Sequence, residues 1–197
     1  ELGRGSSLGR GRNDLGLTSA IKREAIYLGS IARTLWLLRL VKPHSTRSIV
    51  DIVEGQARAR PQNAAILFQD QVITYAQLDA RANRYAHWAL AQGIGRGTPV
   101  ALLMENRPDF ICAWLGMFKA GAQVALINTN LVGQALAHSI NVSGARHAIV
   151  GAELMRNFLD APFQAPPMLW VEGVDPLDGK TGNLTSALAA APETPVG

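Results

Sequence analysis

The chain has 197 residues, 48% of them apolar and 17% charged, a balance that excludes a disordered or fibrous protein and is long enough to bury a core. A single cysteine, Cys112, excludes an internal disulfide framework and suits a reducing compartment, so a cytoplasmic location is expected. The net charge of +4 is uneven: residues 1–47 hold nine Lys/Arg against three Asp/Glu, and residues 48–197 hold ten against twelve. The basic character therefore belongs to the N-terminal arm and points to an anionic surface as partner, lipid or nucleic acid.

The chain opens on Glu1, which suggests a fragment or a processed form. Residues 1–19 are rich in Gly, Ser and Arg, have no periodicity and are expected to be disordered. Their Gly-Arg repeats resemble RNA-binding tails, but Arg4, Arg10 and Arg12 stand without aromatic neighbours, and no nucleic-acid partner is expected. Residues 20–43 form a basic amphipathic helix, with Ile21, Ala25, Leu28, Ile31, Leu35 and Leu38 at three/four spacing. Charges interrupt it too often for a membrane span. Lys22, Arg23, Leu28, Ile31, Leu35, Trp36, Leu38 and Arg39 are candidate contacts to an anionic membrane surface, on the inner face of a membrane. The alternative packs this helix on its own protein.

From residue 48 the pattern becomes that of an α/β module, expected over residues 44–175. "SIVDIVEGQARARP" reads as a short helix with Ile49, Ile52 and Val53 on one face. "AAILF" and "VIT" flank a turn as a hairpin. Thr74, with Gln77 three residues on, is a capping box for a helix from Tyr75 to about Gln92, ended by Gly93. The apolar run Val100–Met104 is a buried strand. Pro108 opens a helix whose inner face is expected to carry Phe110, Ala113, Trp114, Met117 and Phe118. Strand Val124–Ile127, a helix from about Leu131 to Ser143 closed by Gly144, and strand His147–Gly151 follow. A helix at Glu153–Leu159 and a strand at Met168–Val171 complete a parallel sheet with right-handed crossovers. Residues 176–197 read as a linker-like tail.

Several apparent sites carry little. Gly93–Gly97 precedes its strand, whereas a dinucleotide loop follows one. Gly179-Lys180-Thr181 has its preceding Gly173 one residue too far away for a phosphate loop. His44, His87, His138 and His147 show no metal spacing, so no metal ligand is expected. Cys112 falls mid-helix as a small core residue. That leaves the polar ends of two strands. Asn106, after the first parallel strand, and Asn128, Thr129 and Asn130, after the second, lie at carboxyl ends, where open parallel sheets bind ligands. Asn106 and Asn130 also precede helices, so they either cap them or line a cleft.

Five quoted stretches, some overlapping, carry a family resemblance. "ITYAQLDARANRYAHWA" (73–89) and "FKAGAQVALIN" (118–128) resemble the first two core motifs of the adenylate-forming enzymes. The wording "MENRPDF", "ALINTNL" and "LAHSINVSGA" is similar to the very-long-chain acyl-CoA synthetase and fatty acid transport protein branch. The resemblance implies the N-terminal part of the adenylate-forming fold. It also implies a fatty acid–CoA ligase that uses ATP, magnesium and coenzyme A through an acyl-adenylate. In that family the phosphate loop, metal site, ribose-binding Asp and C-terminal lysine lie beyond the matched region. No catalytic residue therefore carries over, and this chain alone is expected to be inactive. The alternatives are a non-catalytic α/β binding module and a nucleic-acid-binding protein that uses the Arg-rich arm.

Overall fold

The computed structural model describes residues 27–34, 36, 48–173 and 182–196. The chain divides into two compact units, Glu1–Thr46 and Arg47–Gly197. In the first, residues 27–34 and 36 are helical (α1), with Tyr27, Leu28 and Trp36 more than 60% exposed and Ile31 also exposed. Lys22, Arg23, Leu35, Leu38, Arg39, His44 and the arm 1–19 lie outside the described residues.

The second unit begins with helix α2 (Ile49–Ala59), whose start is a capping box: the Asp51 amide donates to Ser48 Oγ, and the Ser48 amide donates to the Asp51 carboxylate. Of its apolar residues only Val53 is buried, and Ile49 and Ile52 are exposed. Strands β1 (Ala64–Phe68) and β2 (Gln71–Thr74) form the antiparallel hairpin. Thr74 and Gln77 exchange the expected capping-box bonds, 3.3 and 3.0 Å, at the start of α3 (Tyr75–Ala91). Leu78, Ala82, Tyr85 and Ala89 are buried, and Gly93 ends the turn at φ 72°.

The remaining elements alternate as expected: β3 (Pro99–Leu103), α4 (Pro108–Lys119), β4 (Gln123–Leu126), α5 (Gly133–Ser143) and β5 (His147–Gly151). The helix expected at Glu153–Leu159 begins as a 3-10 turn, Ala152–Leu154, and continues as α6 (Met155–Leu159). Strand β6 (Met168–Glu172) follows. The tail expected to be linker-like is built into the unit from residue 182. Gly182–Asn183 forms β7 beside β6, and Leu184–Ala190 forms α7. Asn183 accepts from the Ser186 amide to cap α7, and Leu184 is fully buried. A Cβ on Gly182 would fall 2.0 Å from the Trp170 ring, so only glycine admits this strand so close to β6.

The parallel sheet has the order β4-β3-β5-β6-β7. Alternate residues of β3 feed two cores, as a strand with both faces covered requires. Val100 and Leu102 pack with α2, α3, α4 and α7, whereas Ala101 and Leu103 pack with α5 and α6. Helix α4 buries Cys112, Ala113, Leu115, Gly116 and Met117, whereas Phe118 is exposed. The inner face is thus rotated from the expected one, because α4 packs on α3 as well as on the sheet. A Cβ on Gly116 would lie 2.3 Å from Tyr85 Cβ and 2.7 Å from the Ala82 carbonyl oxygen. Lys119 ends α4 with its side chain 1% exposed, between Glu54 of α2 and Asp79 of α3, the latter at 2.9 Å. The motif "FKAG" therefore serves the fold: its lysine ties three helices together.

Candidate functional site

The strand order reverses between β3 and β5, and ligands of open α/β sheets bind at the carboxyl ends of strands at such a point. Here Arg107, Glu153 and Glu172, from the ends of β3, β5 and β6, meet. Arg107 precedes Pro108, which forces it extended (φ −145°, ψ 168°). Its Nη1 donates to Asp109 Oδ2 at 3.2 Å, and its Nη2 donates to Glu172 Oε2 and stands 3.6 Å from Glu153 Oε2. The Glu105 amide donates to Glu153 Oε1 at 3.0 Å, so backbone and side chain both bridge the switch point. A Cβ on Gly151 would fall 2.2 Å from Glu153 Oε1, so a glycine there leaves room for that carboxylate over the strand end.

Arg81 Nη1 also stands 3.9 Å from Asp109 Oδ1, so two guanidiniums face three carboxylates. Burial opposes the Arg107 charge, but Glu172, Glu153 and Asp109 outweigh it and hold the group more firmly protonated. Glu172, the most buried of the three, is raised above the usual carboxylate range by burial and by Asp109 and Glu153, against the pull of Arg107. Beside it a cavity of about 340 Å³ is lined by Arg81, Tyr85, Asp109, Glu172, Thr185 and Leu188. Tyr85 Oη is buried without a hydrogen-bond partner. Burial, then Glu172 and Asp109, push its phenol well above its ordinary value, so it stays neutral.

The four predicted cleft residues leave the same edge, since β3 and β4 pair in parallel with Leu102 opposite Leu126. Asn106 lines an apolar groove of about 240 Å³ with Ile66, Phe68, Pro108, Phe110 and Ile111. Asn128 and Asn130 are exposed and Thr129 is half-buried. The capping role considered for Asn106 and Asn130 is corrected by the structure. The N-cap of α4 is Arg107 and that of α5 is Val132, neither with a side-chain cap bond. Pro108 at the first turn of α4 already has a helical φ and lacks one of the donors a cap would satisfy. Asn128 Oδ1 instead accepts from the Asn130 amide at 3.0 Å, closing a turn within the loop.

Arg107 is the residue that sequence reading passed over, although it stands next to Asn106. Its signal was a cation directly before a helix-opening proline, but its partners lie up to 65 residues away. The Gly93–Gly97 stretch forms a turn, with the Gly95 amide donating to Thr98 Oγ1 at 3.2 Å. Cys112 is buried, its thiol pushed up to about 12 by burial. His147 is lowered by burial. Gly179-Lys180-Thr181 lies outside the described residues. Among the described residues no group of three His, Cys, Asp or Glu is arranged to hold a metal ion, and no helix is long and apolar enough to cross a membrane.

A family model described as "AMP-binding enzyme" matches residues 53–193. Long-chain fatty acid transport protein 6 of Mus musculus is 34% identical over 151 residues, covering 76% of this chain and 24% of that protein. The medium/long-chain-fatty-acid–CoA ligase FadD6 of Mycobacterium tuberculosis is 33% identical over 116 residues, 59% of this chain and 19% of that one. A solved fatty acyl CoA synthetase from Mycobacterium tuberculosis superposes with a TM-score of 0.63 at 28% identity, over 75% of this chain and 29% of its own. The chain thus spans about a quarter or less of the length of these curated relatives.

Proposed function

The chain belongs to the AMP-binding enzyme family, and from that premise we propose that it is the N-terminal part of an ATP-dependent fatty acyl-CoA synthetase acting on long-chain fatty acids. The observation that carries this reading is the family match over residues 53–193, joined to relatives named as fatty acid transport proteins and fatty-acid–CoA ligases. In the complete protein a fatty carboxylate attacks the α-phosphorus of ATP, pyrophosphate leaves, and the coenzyme A thiolate then displaces AMP from the acyl-adenylate. ATP, magnesium and coenzyme A supply the phosphate activation, the charge neutralisation and the acyl acceptor.

The described residues of this chain do not fit the phosphate and metal roles. Arg107, the cation at the switch point, is committed to three carboxylates, and no metal-ligand group stands among the described residues. These residues instead shape the cleft. The Arg107 cluster fixes the ends of β3, β5 and β6, while Asn106, Asn128, Thr129 and Asn130 present amide and hydroxyl groups along the same edge. The exposure of Leu28, Ile31 and Trp36 in α1, together with the net basic arm, supports peripheral contact with an anionic membrane surface, where a fatty acid substrate partitions. Lys22, Arg23 and Arg39 add charge to the same sequence stretch.

The test is acyl-CoA formation by the complete protein from ATP, coenzyme A and long-chain fatty acids. Turnover is expected there, and none from the 197-residue chain alone. A complete protein that activates no fatty acid, or activates only non-lipid acids, overturns the reading. Co-sedimentation with phosphatidylglycerol vesicles but not neutral ones, lost at high salt, is expected for the N-terminal arm. Equal binding to both vesicle types rules out the electrostatic contact.

A further inference from the structure

Beyond Ala190 the chain turns back across α3. Ala191 is extended (φ −80°, ψ 147°), and Pro192 and Pro195 hold the residues before them extended as well. Two prolines in four residues remove two amide donors, so the segment presents mainly carbonyl oxygens. Helix α3 answers with side-chain donors. Asn83 Nδ2 donates to the Glu193 carbonyl at 2.7 Å, and His87 Nε2 lies 2.9 Å from the Thr194 carbonyl. A carbonyl only accepts, so Nε2 carries the proton. Arg84 Nη2 reaches the Glu193 carboxylate at 2.5 Å.

Asn83 is only 1% exposed, yet its amide is spent on a segment 110 residues away in sequence. Two cavities lie under that segment, of about 400 and about 310 Å³. They share Ala76, Ala80 and Glu193, and of these only Glu193 lies outside α3. The first cavity extends to Arg81 and Arg84, the second to Arg58. Glu193 is therefore the partition between them. With it lifted they form one groove, floored by two alanines and rimmed by Arg58, Arg81 and Arg84, with Glu54 and Asp79, both paired to Lys119, on the wall of the second cavity.

We propose that Asn83, Arg84 and His87 form a latch that reads an extended, acidic segment, and that residues 191–196 of this chain are its occupant, closing a groove along α3 that opens when Glu193 is released. The chemistry matches on both sides: neutral donors meet backbone carbonyls, and a guanidinium meets the single carboxylate of the segment. The buried amide is the stronger half. An exposed ion pair such as Arg84–Glu193 contributes little, whereas a buried amide–carbonyl bond contributes more and leaves a stranded acceptor when removed.

The test is proteolysis of the full 197-residue chain under native conditions, with cleavage sites mapped by mass spectrometry. Asn83→Ala should raise clipping within 191–196 about tenfold and Arg84→Ala about threefold. Cleavage in the hairpin turn at Gln69–Gln71 should be unchanged. Arg84→Glu should also accelerate clipping of the segment, and adding Glu193→Arg should return it to within about twofold of the parent, since the swap restores the pair. If Asn83→Ala accelerates both sites equally, the charge swap decides. Failure of the swap to rescue, or clipping indifferent to all these changes, overturns the latch.

Discussion

On one face of the five-stranded sheet, α3 and α4 approach so closely that Gly116 leaves no room for a methyl group, and Lys119 sits between Glu54 and Asp79 out of contact with water. On the other face, α5 and α6 cover the sheet with Leu136, Ala137, Ile140 and Phe158, and no buried ion pair stands among the described residues there. Both faces are dry, but they are specified differently. The first depends on particular partners in particular places, so it is intolerant of change; the second depends on apolar volume, which several side chains can supply. The two stretches resembling family core motifs, 73–89 and 118–128, both contribute to the first face.

The largest expected effect tests that asymmetry directly. Lys119→Met removes the buried cation between two partly buried carboxylates, leaving, among the described residues, Asp79 without a cation and Glu54 with only the exposed Arg58, and should cost about 4 kcal/mol of stability, read as a fall in the urea midpoint at constant slope. A loss below about 1 kcal/mol would mean that apolar packing alone holds the three helices. Next comes Gly116→Ala. The added Cβ meets backbone, not a flexible side-chain end, so α3 and α4 must separate, at about 3 kcal/mol. Calorimetry would detect this as a lowered Tm. An unchanged Tm would refute the close approach.

Gly144→Ala sharpens the contrast from the other face. Nothing lies within 4 Å of a Cβ at Gly144, but its φ of 68° ends α5 in the left-handed region, so the cost is conformational, about 1 kcal/mol. If Gly144→Ala cost as much as Gly116→Ala, crowding would not be the distinction between the faces. The smallest effect concerns Cys112. Burial raises its thiol from 9.0 to about 12, so the folded state favours the protonated form. Its contribution to stability is fully present below pH 9 and is lost as pH rises from 9 towards 12. Thiol reagents at pH 8 should label it only after denaturant is added. Labelling of the native chain would place α4 less deeply than described.

Local chemistry made much of the fold legible. Thr74 with Gln77, Pro108, Gly93 and Gly144 each mark a helix end by a mechanism confined to a few residues. The face of α4 was not legible, because two layers bury it and Gly116 reads as a gap in an apolar stripe, not as its contact point. Nor was the docking of residues 182–190, since Ala- and Gly-rich sequence resembles a linker until Trp170 is seen to pack on Gly182 and Leu184 to enter the core. At the site, sequence reading reached the correct edge of the sheet but dwelt on the asparagines. Arg107 finds Glu153 and Glu172 only once β5 has paired with β3 and β6 with β5, and no local pattern encodes that meeting.

The interior position of β3 also bears on how the chain is made. It is the first strand of the parallel sheet in sequence, yet its two neighbours are β4 and β5, and the second does not begin until His147, 44 residues after β3 ends at Leu103 (147 − 103 = 44). At about 5–20 residues per second, a ribosome needs about 2–9 seconds to supply it. Throughout that interval a strand of Pro-Val-Ala-Leu-Leu has an edge with no partner of its own. The nascent chain is most prone to aggregate in this window, and α3, complete before β3 emerges, is the element already available to shelter one side of it.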